Sequence, residues 1–390
     1  MKLFDEMTRD DEGPASYSEP KFSYLNRSAR PAFCAIRTVL EDWFSRYPEA
    51  HRNDLCGRFR SSDDTQHRSA FFELFLHELL LRLGCLVEIH PSVLGTCKSP
   101  DFLVQSKTGG PFYLEAVVAS GESRQEASTS AISRRLRDIL DRLDSPNFFI
   151  GWKVRGSTQK PPAARKIKAF LKQRLAPLDP ERVAGDLKSR GFNALPRWTY
   201  SHEGWLIEFF PIPKSTGLRG KPGVRSIGCE LEAGWVDART SLRDAILEKA
   251  GKYGKLEYPF VVAVNSLAWH LDKTDVMEAL FGKEHFVFTQ TPSGFSGPVP
   301  RRAPDGVWTS PEGPRYTRLS AVLLFEGLFP WSLSHCPVCL YHNPWAENTL
   351  QSELDRLPKA IPIPGDQLKW LYGDRLHSVF DLPADWPGKD

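Results

Sequence analysis

No apolar run in this chain of 390 residues approaches the roughly 20 residues that a membrane-spanning helix needs. The start, MKLFDEMTRDDEGP, carries acidic side chains where a secretory signal would have an apolar core. The seven cysteines are odd in number and scattered, so reduced thiols explain them better than a disulfide framework. We therefore expect a cytoplasmic protein with no membrane partner.

The signatures of several other protein classes are also missing. Residues 214–225, KSTGLRGKPGVR, lack the spacing of a phosphate-binding P-loop, and no GxSxG nucleophile elbow occurs. The block from His335 to His342 offers two cysteines and two histidines, but a second CxxC is absent. We interpret this block as an apolar strand rather than a zinc site. Nothing in the sequence calls for a small-molecule cofactor or indicates an oligomeric state.

The composition is that of a globular chain with one strongly basic segment. Apolar residues make up 41% and charged residues 25%, which supports a substantial core. Net charge is only +3, yet residues 132–175 hold twelve lysines and arginines against three acidic residues, an excess of nine. Such an excess favours a phosphodiester partner, although solvated helix faces give the same pattern.

Residues 69–120 are the most informative stretch. Apolar side chains recur every three or four positions from Phe72 to Leu83, and Gly84 ends the pattern, which predicts a helix. Three short apolar runs bounded by glycine, proline and serine follow at residues 86–89, 102–104 and 112–118. These runs predict three largely buried strands.

Three acidic residues lie within or next to the predicted helix and strands of this stretch. Asp101 opens the second predicted strand behind Pro100, Glu115 lies inside the third, and Glu73 lies in the helix. Burying the charge of Glu115 without a partner would cost several kcal/mol. A Mg²⁺ or Mn²⁺ ion shared with Asp101 is the simplest compensation, because two carboxylates, a carbonyl oxygen and waters suit Mg²⁺. Pairing with an arginine is the alternative.

These residues resemble the motif of the PD-(D/E)XK nuclease superfamily. A Pro-Asp pair ending at Asp101, thirteen intervening residues and the triplet Glu115-Ala116-Val117 carry the resemblance, with Glu73 on the preceding helix. It covers residues 70–154 and implies a core of a helix, a three-stranded meander, a helix and a fourth strand. It also implies that Asp101 and Glu115 hold Mg²⁺, while Glu73 binds a second metal or positions water.

The motif departs from the family at its lysine, which is Val117 here. That lysine normally orients or deprotonates the attacking water and stabilises the developing charge. In one interpretation its role passes to Lys98, three residues before Asp101, or to Lys153, within residues 148–154 that we predict as the fourth strand. In the other, the site is degenerate and the fold only binds a nucleic acid or a protein partner.

The basic segment supplies the candidate nucleic-acid contacts. Residues 132–143 predict an amphipathic helix before the expected fourth strand, and residues 164–175 predict a second, strongly basic helix. On these helices the candidate DNA-binding side chains are Arg134, Arg135, Arg165, Lys166 and Lys168.

Four regions follow from these patterns. They are an N-terminal helical segment (1–68), the PD-(D/E)XK-like core (69–155), a basic insertion with an added α/β unit (156–288), and a C-terminal region containing strands (289–390). In the third region, residues 242–255 predict a helix with Lys249, Lys252 and Tyr253 at helical spacing, followed by a strand at 258–265. This pair either joins the same sheet or forms a second small domain.

Residues 289–315, dense in proline, glycine and serine, predict a mobile loop able to fold over substrate.

The sequence thus predicts an α/β protein with a restriction-endonuclease-like mixed sheet flanked by helices, with large insertions and a C-terminal α/β extension. The function that we expect is Mg²⁺-dependent hydrolysis of DNA phosphodiester bonds. The alternatives are a non-catalytic protein of the same fold and an α/β enzyme of unrelated chemistry, whose acidic residues would lie far apart.

Overall fold

The chain separates into two compact units. The computed structural model describes residues 1–93, 97–120, 124–158, 160–231, 237–254, 256–268, 270–291, 294–295, 297–363 and 367–388. The first unit comprises Met1–Gly13, Pro20–Gly121 and Val236–Asp390, and the second comprises Pro14–Glu19 and Glu122–Trp235. The second unit is therefore mainly an insertion into the first, and its bounds differ from those of the four regions predicted above.

The first unit begins with four helices and an antiparallel meander. The helices are α1 (Lys21–Arg27), α2 (Pro31–Arg46), α3 (Glu49–Phe59) and α4 (Asp64–Leu83). The strands are β1 (Leu86–Ile89), β2 (Phe102–Ser106) and β3 (Gly110–Ala119). Helix α4 begins where the Asp63 side chain accepts a hydrogen bond from the Thr65 amide, and it ends at Gly84, whose φ of 95° is left-handed. The predicted helix and meander are confirmed.

The second unit has its own sheet and core. Its elements are α5 (Arg124–Asp141), β4 (Phe148–Arg155), α6 (Ala164–Leu175), α7 (Pro180–Arg190), β5 (Trp198–His202), β6 (Trp205–Pro213) and β7 (Ile227–Glu230), with 3₁₀ turns at Phe192–Ala194 and Thr216–Leu218. The four strands form one sheet in the order β5-β6-β4-β7. A separate apolar cluster that includes Leu136, Ile150 and Trp205 fills this unit.

The remainder of the first unit completes its sheet. Its elements are α8 (Ala238–Ala250), β8 (Phe260–Ser266), α9 (Lys273–Phe281), β9 (Glu284–Val287), β10 (Gln290–Thr291), β11 (Gly294–Phe295), β12 (Val299–Arg302), β13 (Thr309–Ser310), β14 (Gly313–Pro314), β15 (Leu319–Glu326), β16 (Val338–His342), a 3₁₀ turn (Glu353–Arg356), β17 (Lys359–Ile363), β18 (Gln367–Leu371) and α10 (Leu376–Val379). Strand β8 lies in the same sheet as β3, and α8 leads into it. This is the first of the two arrangements predicted for this helix and strand. Helix α8 ends at Ala250, and Lys255 lies outside the described residues.

The eight-stranded sheet of the first unit is mixed and covered on both faces. Its order is β1-β2-β3-β8-β15-β16-β17-β18, with β1, β2 and β3 antiparallel and β3, β8 and β15 parallel. Side chains of α2 and α4 pack with one face, and side chains of α8 and α9 pack with the other. The predicted mixed α/β architecture with flanking helices is confirmed.

The strand predicted at residues 148–154 is present, but its predicted place as the fourth strand of the core sheet is wrong. Residues 148–154 lie in β4, which pairs with β6 and β7 in the sheet of the second unit. The strand beside β3 is β8, which runs parallel to it and pairs Glu115 with Val262. A parallel neighbour requires a crossover, and α8 provides it, because it lies between β3 and β8 in the chain and contacts both strands.

Residues 289–315 contain short strands that the sequence did not predict. Strand β12 pairs with β9, which lies just before this segment, and within the segment β10 pairs with β11 and β13 with β14. Positions 292, 293 and 296 of this segment lie outside the described residues. Within this segment Val307 and Trp308 are buried, and their amides donate to carbonyls of α9.

Two findings bear on the surroundings of the chain. No helix in the described part is both long and apolar enough to cross a bilayer. All seven cysteines are free thiols, of which Cys56, Cys85 and Cys336 are buried.

Glu78 on α4 offers a test of how α2 and α4 are held together. Its side chain is 1% exposed and its oxygens accept hydrogen bonds from Arg46 Nη2 at 2.7 Å and from Arg82 Nε at 2.6 Å. We predict that Glu78→Gln lowers the free energy of unfolding by about 2–4 kcal/mol, because two guanidinium groups lose their shared counter-charge. Urea denaturation measures this change. The exposed Glu6→Gln variant is the control, and an equal effect of both substitutions would contradict the assignment.

Candidate active site

Glu115 is a carboxylate in the interior of the sheet, with three donors around it. Its side chain is fully buried in the middle of β3. Lys249 Nζ and Lys252 Nζ lie 3.0 and 2.7 Å from Oε1. The Tyr253 hydroxyl donates to Oε2 at 2.5 Å and also lies 2.9 Å from the Ser99 carbonyl oxygen. The buried charge is thus compensated by two ammonium groups, in place of the single arginine considered from the sequence.

The two lysines and the tyrosine come from the C-terminal end of α8 and the residues just after it. Burial disfavours the charge of Lys249, but the charge of Glu115 and its hydrogen bond outweigh this, so the pKa of Lys249 is raised. Burial, followed by the hydrogen bond to Glu115, raises the pKa of Tyr253. Lys249 therefore stays an ammonium ion and Tyr253 a neutral donor at physiological pH.

Asp101 joins Glu115 through the pairing of β2 with β3. The register pairs Phe102 with Leu114, so extending it by one residue sets Asp101 opposite Glu115. Directly opposed residues have Cβ atoms about 5 Å apart on one face of a sheet. Asp101 Oδ2 also accepts a hydrogen bond of 2.7 Å from the Ala116 amide, next to Glu115. The two acids that the sequence singled out are thus neighbours.

The electrostatic balance at Asp101 is unfavourable to its charge. Burial, then the negative charges of Glu115 and Glu73, raise the pKa of Asp101 to about 7. The Ala116 amide and Lys249 act in the opposite direction but do not offset these effects. Burial is the largest of these effects, and together with the neighbouring carboxylates it disfavours the ionised form of Asp101.

Glu73 lies on α4 and is held by an arginine. Arg58 of α3 donates to both carboxylate oxygens, at 2.6 and 2.7 Å, and this pairing raises the pKa of Arg58. Glu73 still contributes to the raised pKa of Asp101. Its carboxylate belongs to the electrostatic surroundings of Asp101, but its oxygens are engaged by a cation of the chain itself.

The positions considered for the missing lysine lie in different parts of the chain. Val117, at the motif position, is half-buried and packs against the core on the α8 side of the sheet. Lys98 is exposed, and its Nζ lies 3.3 Å from the carbonyl oxygen of Lys252. Lys153 lies on β4 in the second unit, opposite Glu208 of β6, so its predicted place in the core sheet is wrong.

The candidate DNA-binding residues all belong to the second unit. Arg134 and Arg135 lie on α5, the first half-buried and the second exposed. On α6, Arg165 and Lys166 are exposed, and Lys168 Nζ donates to the Arg142 carbonyl at 3.0 Å. Of these side chains, Arg135, Arg165 and Lys166 are the exposed cations on the two helices.

A divalent cation fits the pair Asp101 and Glu115 in ligand type. Both offer carboxylate oxygens on neighbouring strands, and a bound metal would share Glu115 with Lys249, Lys252 and Tyr253. Mg²⁺ commonly uses one or two protein carboxylates and keeps water in its remaining positions. Within the described ranges no group of three or more His, Cys, Asp or Glu side chains is placed to hold a metal. The fit therefore rests on these two carboxylates, without Glu73 as a third ligand.

Sequence reasoning missed Lys249, Lys252 and Tyr253 as site residues. The helical spacing of the three residues was visible, but it did not indicate which carboxylate they would meet. The signal lay in the strand that follows them, FVVAVNS in β8, which is apolar at its first five positions. Such a run is typical of an interior parallel strand, so the helix before it had to be a crossover helix of the sheet.

Comparisons of the chain with family models, with curated proteins and with solved structures found no match.

Replacing Asp101 by asparagine tests the raised pKa of this carboxyl directly. A carboxyl with a pKa of about 7 in the folded state and about 4 in the unfolded state binds more protons when folded between these values. Stability therefore falls as pH rises from about 4 to about 7, by up to about 4 kcal/mol. We predict that Asp101→Asn removes this loss, so the variant gains stability over the native protein at pH 8 and not at pH 4.

The measurement is urea unfolding at both pH values in EDTA. Asp10→Asn is the control, because Asp10 is exposed at the surface. A difference between the Asp101 variant and the native protein that does not change with pH would contradict the raised pKa.

Proposed function

We propose that this protein is a Mg²⁺-dependent nuclease that hydrolyses DNA phosphodiester bonds on a restriction-endonuclease-like core. The support is the order of elements in the first unit: α4, the antiparallel meander β1-β2-β3, the crossover α8 and the parallel strand β8. This is the order that the resemblance to PD-(D/E)XK nucleases implies. Asp101 at the start of β2 and Glu115 within β3 occupy the motif's two acidic positions.

The observation that carries the proposal is the pair of ammonium groups at Glu115. The motif lysine is replaced by Val117, but Lys249 and Lys252 bring their Nζ atoms to the neighbouring carboxylate from α8 and the residues after it. Positive charge thus reaches the acidic pair from a different element of the fold. This favours a retained active site over the loss of the lysine's function.

Each residue then has a defined role. Asp101 and Glu115 would hold the metal, which when bound lowers the pKa of a water molecule and neutralises charge on a phosphate oxygen. Lys249 and Lys252 orient the attacking water and stabilise the negative charge that develops on the phosphoryl oxygens. Tyr253 fixes the Glu115 carboxylate by donating to Oε2. Arg58 holds Glu73, whose charge contributes to the raised pKa of Asp101.

DNA is the proposed substrate because the chain carries a concentrated positive charge. The segment 132–175 in the second unit holds twelve basic residues against three acidic ones, and Arg135, Arg165 and Lys166 are exposed. Phosphodiester backbones bind such surfaces by releasing condensed counterions.

A non-catalytic protein of the same fold remains the second candidate, and one observation favours it. Both oxygens of Glu115 are already engaged, and two ammonium groups balance the two carboxylates of the pair without any metal. A protein of this kind would bind DNA equally well with and without a divalent cation.

We predict that the purified protein cleaves plasmid DNA in Mg²⁺ or Mn²⁺ and does not cleave it in EDTA. Asp101→Asn abolishes cleavage while leaving the protein folded, because it removes a metal ligand. Agarose electrophoresis of supercoiled, nicked and linear DNA, beside single-stranded DNA, measures the result. Binding without cleavage in every metal tested would instead support the non-catalytic candidate.

The two lysines give a second prediction. Each of Lys249→Met and Lys252→Met lowers the cleavage rate by about 10²-fold or more, because a preorganised charge is lost from the reacting phosphate. Each single variant keeps one ammonium group on Glu115, which limits the loss of stability. Lys98→Met is the matched control and changes the rate little. A large loss of cleavage rate for Lys98→Met, with normal rates for Lys249→Met and Lys252→Met, would instead assign the role of the motif lysine to Lys98.

A further inference from the structure

The strands β9 and β12 form a two-stranded ribbon with solvent on both of its faces. The register pairs Val299 with Val287 and Pro300 with Phe286. All residues of β9 are exposed, and so are the first three of β12. Phe286 and Phe288 are 59% and 60% exposed, and Val287 and Val299 are 39% and 44% exposed. An isolated ribbon with this much apolar surface in water is unfavourable unless a partner covers it.

Paired residues share a face of the ribbon, so its two faces can be assigned. Phe286 and Pro300 lie on one face, and Val287 and Val299 lie on the other, where His285 and Arg301 follow as the next pair on that side. Apolar surface is thus displayed on both sides. A flat protein surface would cover only one of them, whereas a groove with two walls would cover both.

The base of the ribbon is fixed firmly to the first unit. Gly282 has a φ of 97°, and a Cβ there would lie 1.8 Å from the Ala303 carbonyl oxygen, so only glycine fits. The Lys283 amide donates to Asp305 Oδ1 at 3.0 Å, and Asp305 Oδ2 accepts from the buried Arg239 of α8 at 2.7 Å. The ribbon therefore projects from an anchored base at the start of α8.

The charge of the ribbon is complementary to a polyanion. No aspartate or glutamate occurs from residue 285 to residue 304. Glu284, just before this range, is paired with Arg302. Lys283 and Arg301 are exposed at the base of the ribbon. The positive charge at the base of the ribbon would contact phosphates of a nucleic acid. The apolar side chains nearer the tip would contact the edges of its bases.

We propose that this ribbon inserts into the major groove of duplex DNA, where Phe286 and Phe288 contact thymine methyl groups and Arg301 contacts a phosphate or a guanine edge. The major groove admits a two-stranded ribbon and presents thymine methyl groups to apolar side chains. This inference rests on the proposed function, because it takes duplex DNA as the substrate.

The ribbon and the acidic pair use opposite ends of one helix. Arg239, which anchors the ribbon base, precedes Lys249 by ten residues, a rise of about 15 Å along α8. Groove contact and hydrolysis therefore involve separate side chains of the same unit. Changes in the ribbon should alter DNA affinity without altering the chemistry at Asp101 and Glu115.

The test measures binding separately from cleavage. Fluorescence anisotropy of a labelled duplex in EDTA reports binding to the native protein and to the double variant Phe286→Ser, Phe288→Ser. We expect about tenfold weaker binding by the double variant, and a comparable loss for Arg301→Gln. Leu86→Ser is the matched control, since Leu86 is 70% exposed on β1 of the same unit. Far-UV circular dichroism and thermal melting confirm that all variants fold.

Replacing thymine by uracil throughout the duplex removes only the methyl groups. The native protein should then bind the uracil duplex more weakly, while the phenylalanine double variant should bind both duplexes equally. Native affinity of the double variant for the thymine duplex would overturn the inference, as would indifference of the native protein to the methyl groups. Light scattering that shows a native oligomer dissociating in the double variant, with DNA binding unchanged, would also overturn it and assign the ribbon to protein association.

The two proposals fail in distinguishable ways. Duplex binding that depends on the ribbon, without cleavage in any metal, would overturn the nuclease and leave the groove contact standing. Cleavage by the native protein, with a ribbon variant that binds and cleaves normally, would overturn only the groove contact.

Discussion

The buried charge of Glu115 is the constraint on which the core of this protein depends. A carboxylate in the middle of a sheet cannot be left without partners, because its desolvation would cost several kcal/mol. Its partners Lys249 and Lys252 lie 134 and 137 residues further along the chain. Helix α8 must therefore return to β3 for the charge to be compensated, and the parallel strand β8 follows from that return.

This arrangement also explains how the chain accommodates a whole second unit. The connection between β3 and α8 is where residues 122–235 are inserted, and they carry their own sheet and apolar cluster. The contacts of Glu115 are made within the first unit, by elements on either side of the insertion. The site is thus built from two distant stretches of sequence, and neither stretch contains it alone.

The local part of the site could be predicted from the sequence, and the distant part could not. Asp101 and Glu115 were identified because an acid at a strand start and an acid inside an apolar run are unusual within one short stretch. Lys249 and Lys252 were not assigned to them, because helical spacing defines a face of a helix and not the strand that this face meets.

The mistaken fourth strand has a similar physical cause. Residues 148–154 and residues 260–266 both follow a helix and both have apolar character, so order along the chain favoured the nearer one. The two strands differ in polarity and burial, however. Strand β4 ends in Lys153, Val154 and Arg155, whereas β8 is buried at every position. A strand between two parallel neighbours has no solvent-facing side, and only β8 satisfies that condition.

The most direct test of the central claim is X-ray diffraction from crystals soaked in Mn²⁺, recorded at the manganese absorption edge. The account predicts an anomalous peak within about 2.2 Å of carboxylate oxygens of both Asp101 and Glu115, with Lys249 and Lys252 nearby. A peak that touches neither carboxylate, or Glu115 still bound only by the two lysines and Tyr253 in saturating Mn²⁺, would contradict it.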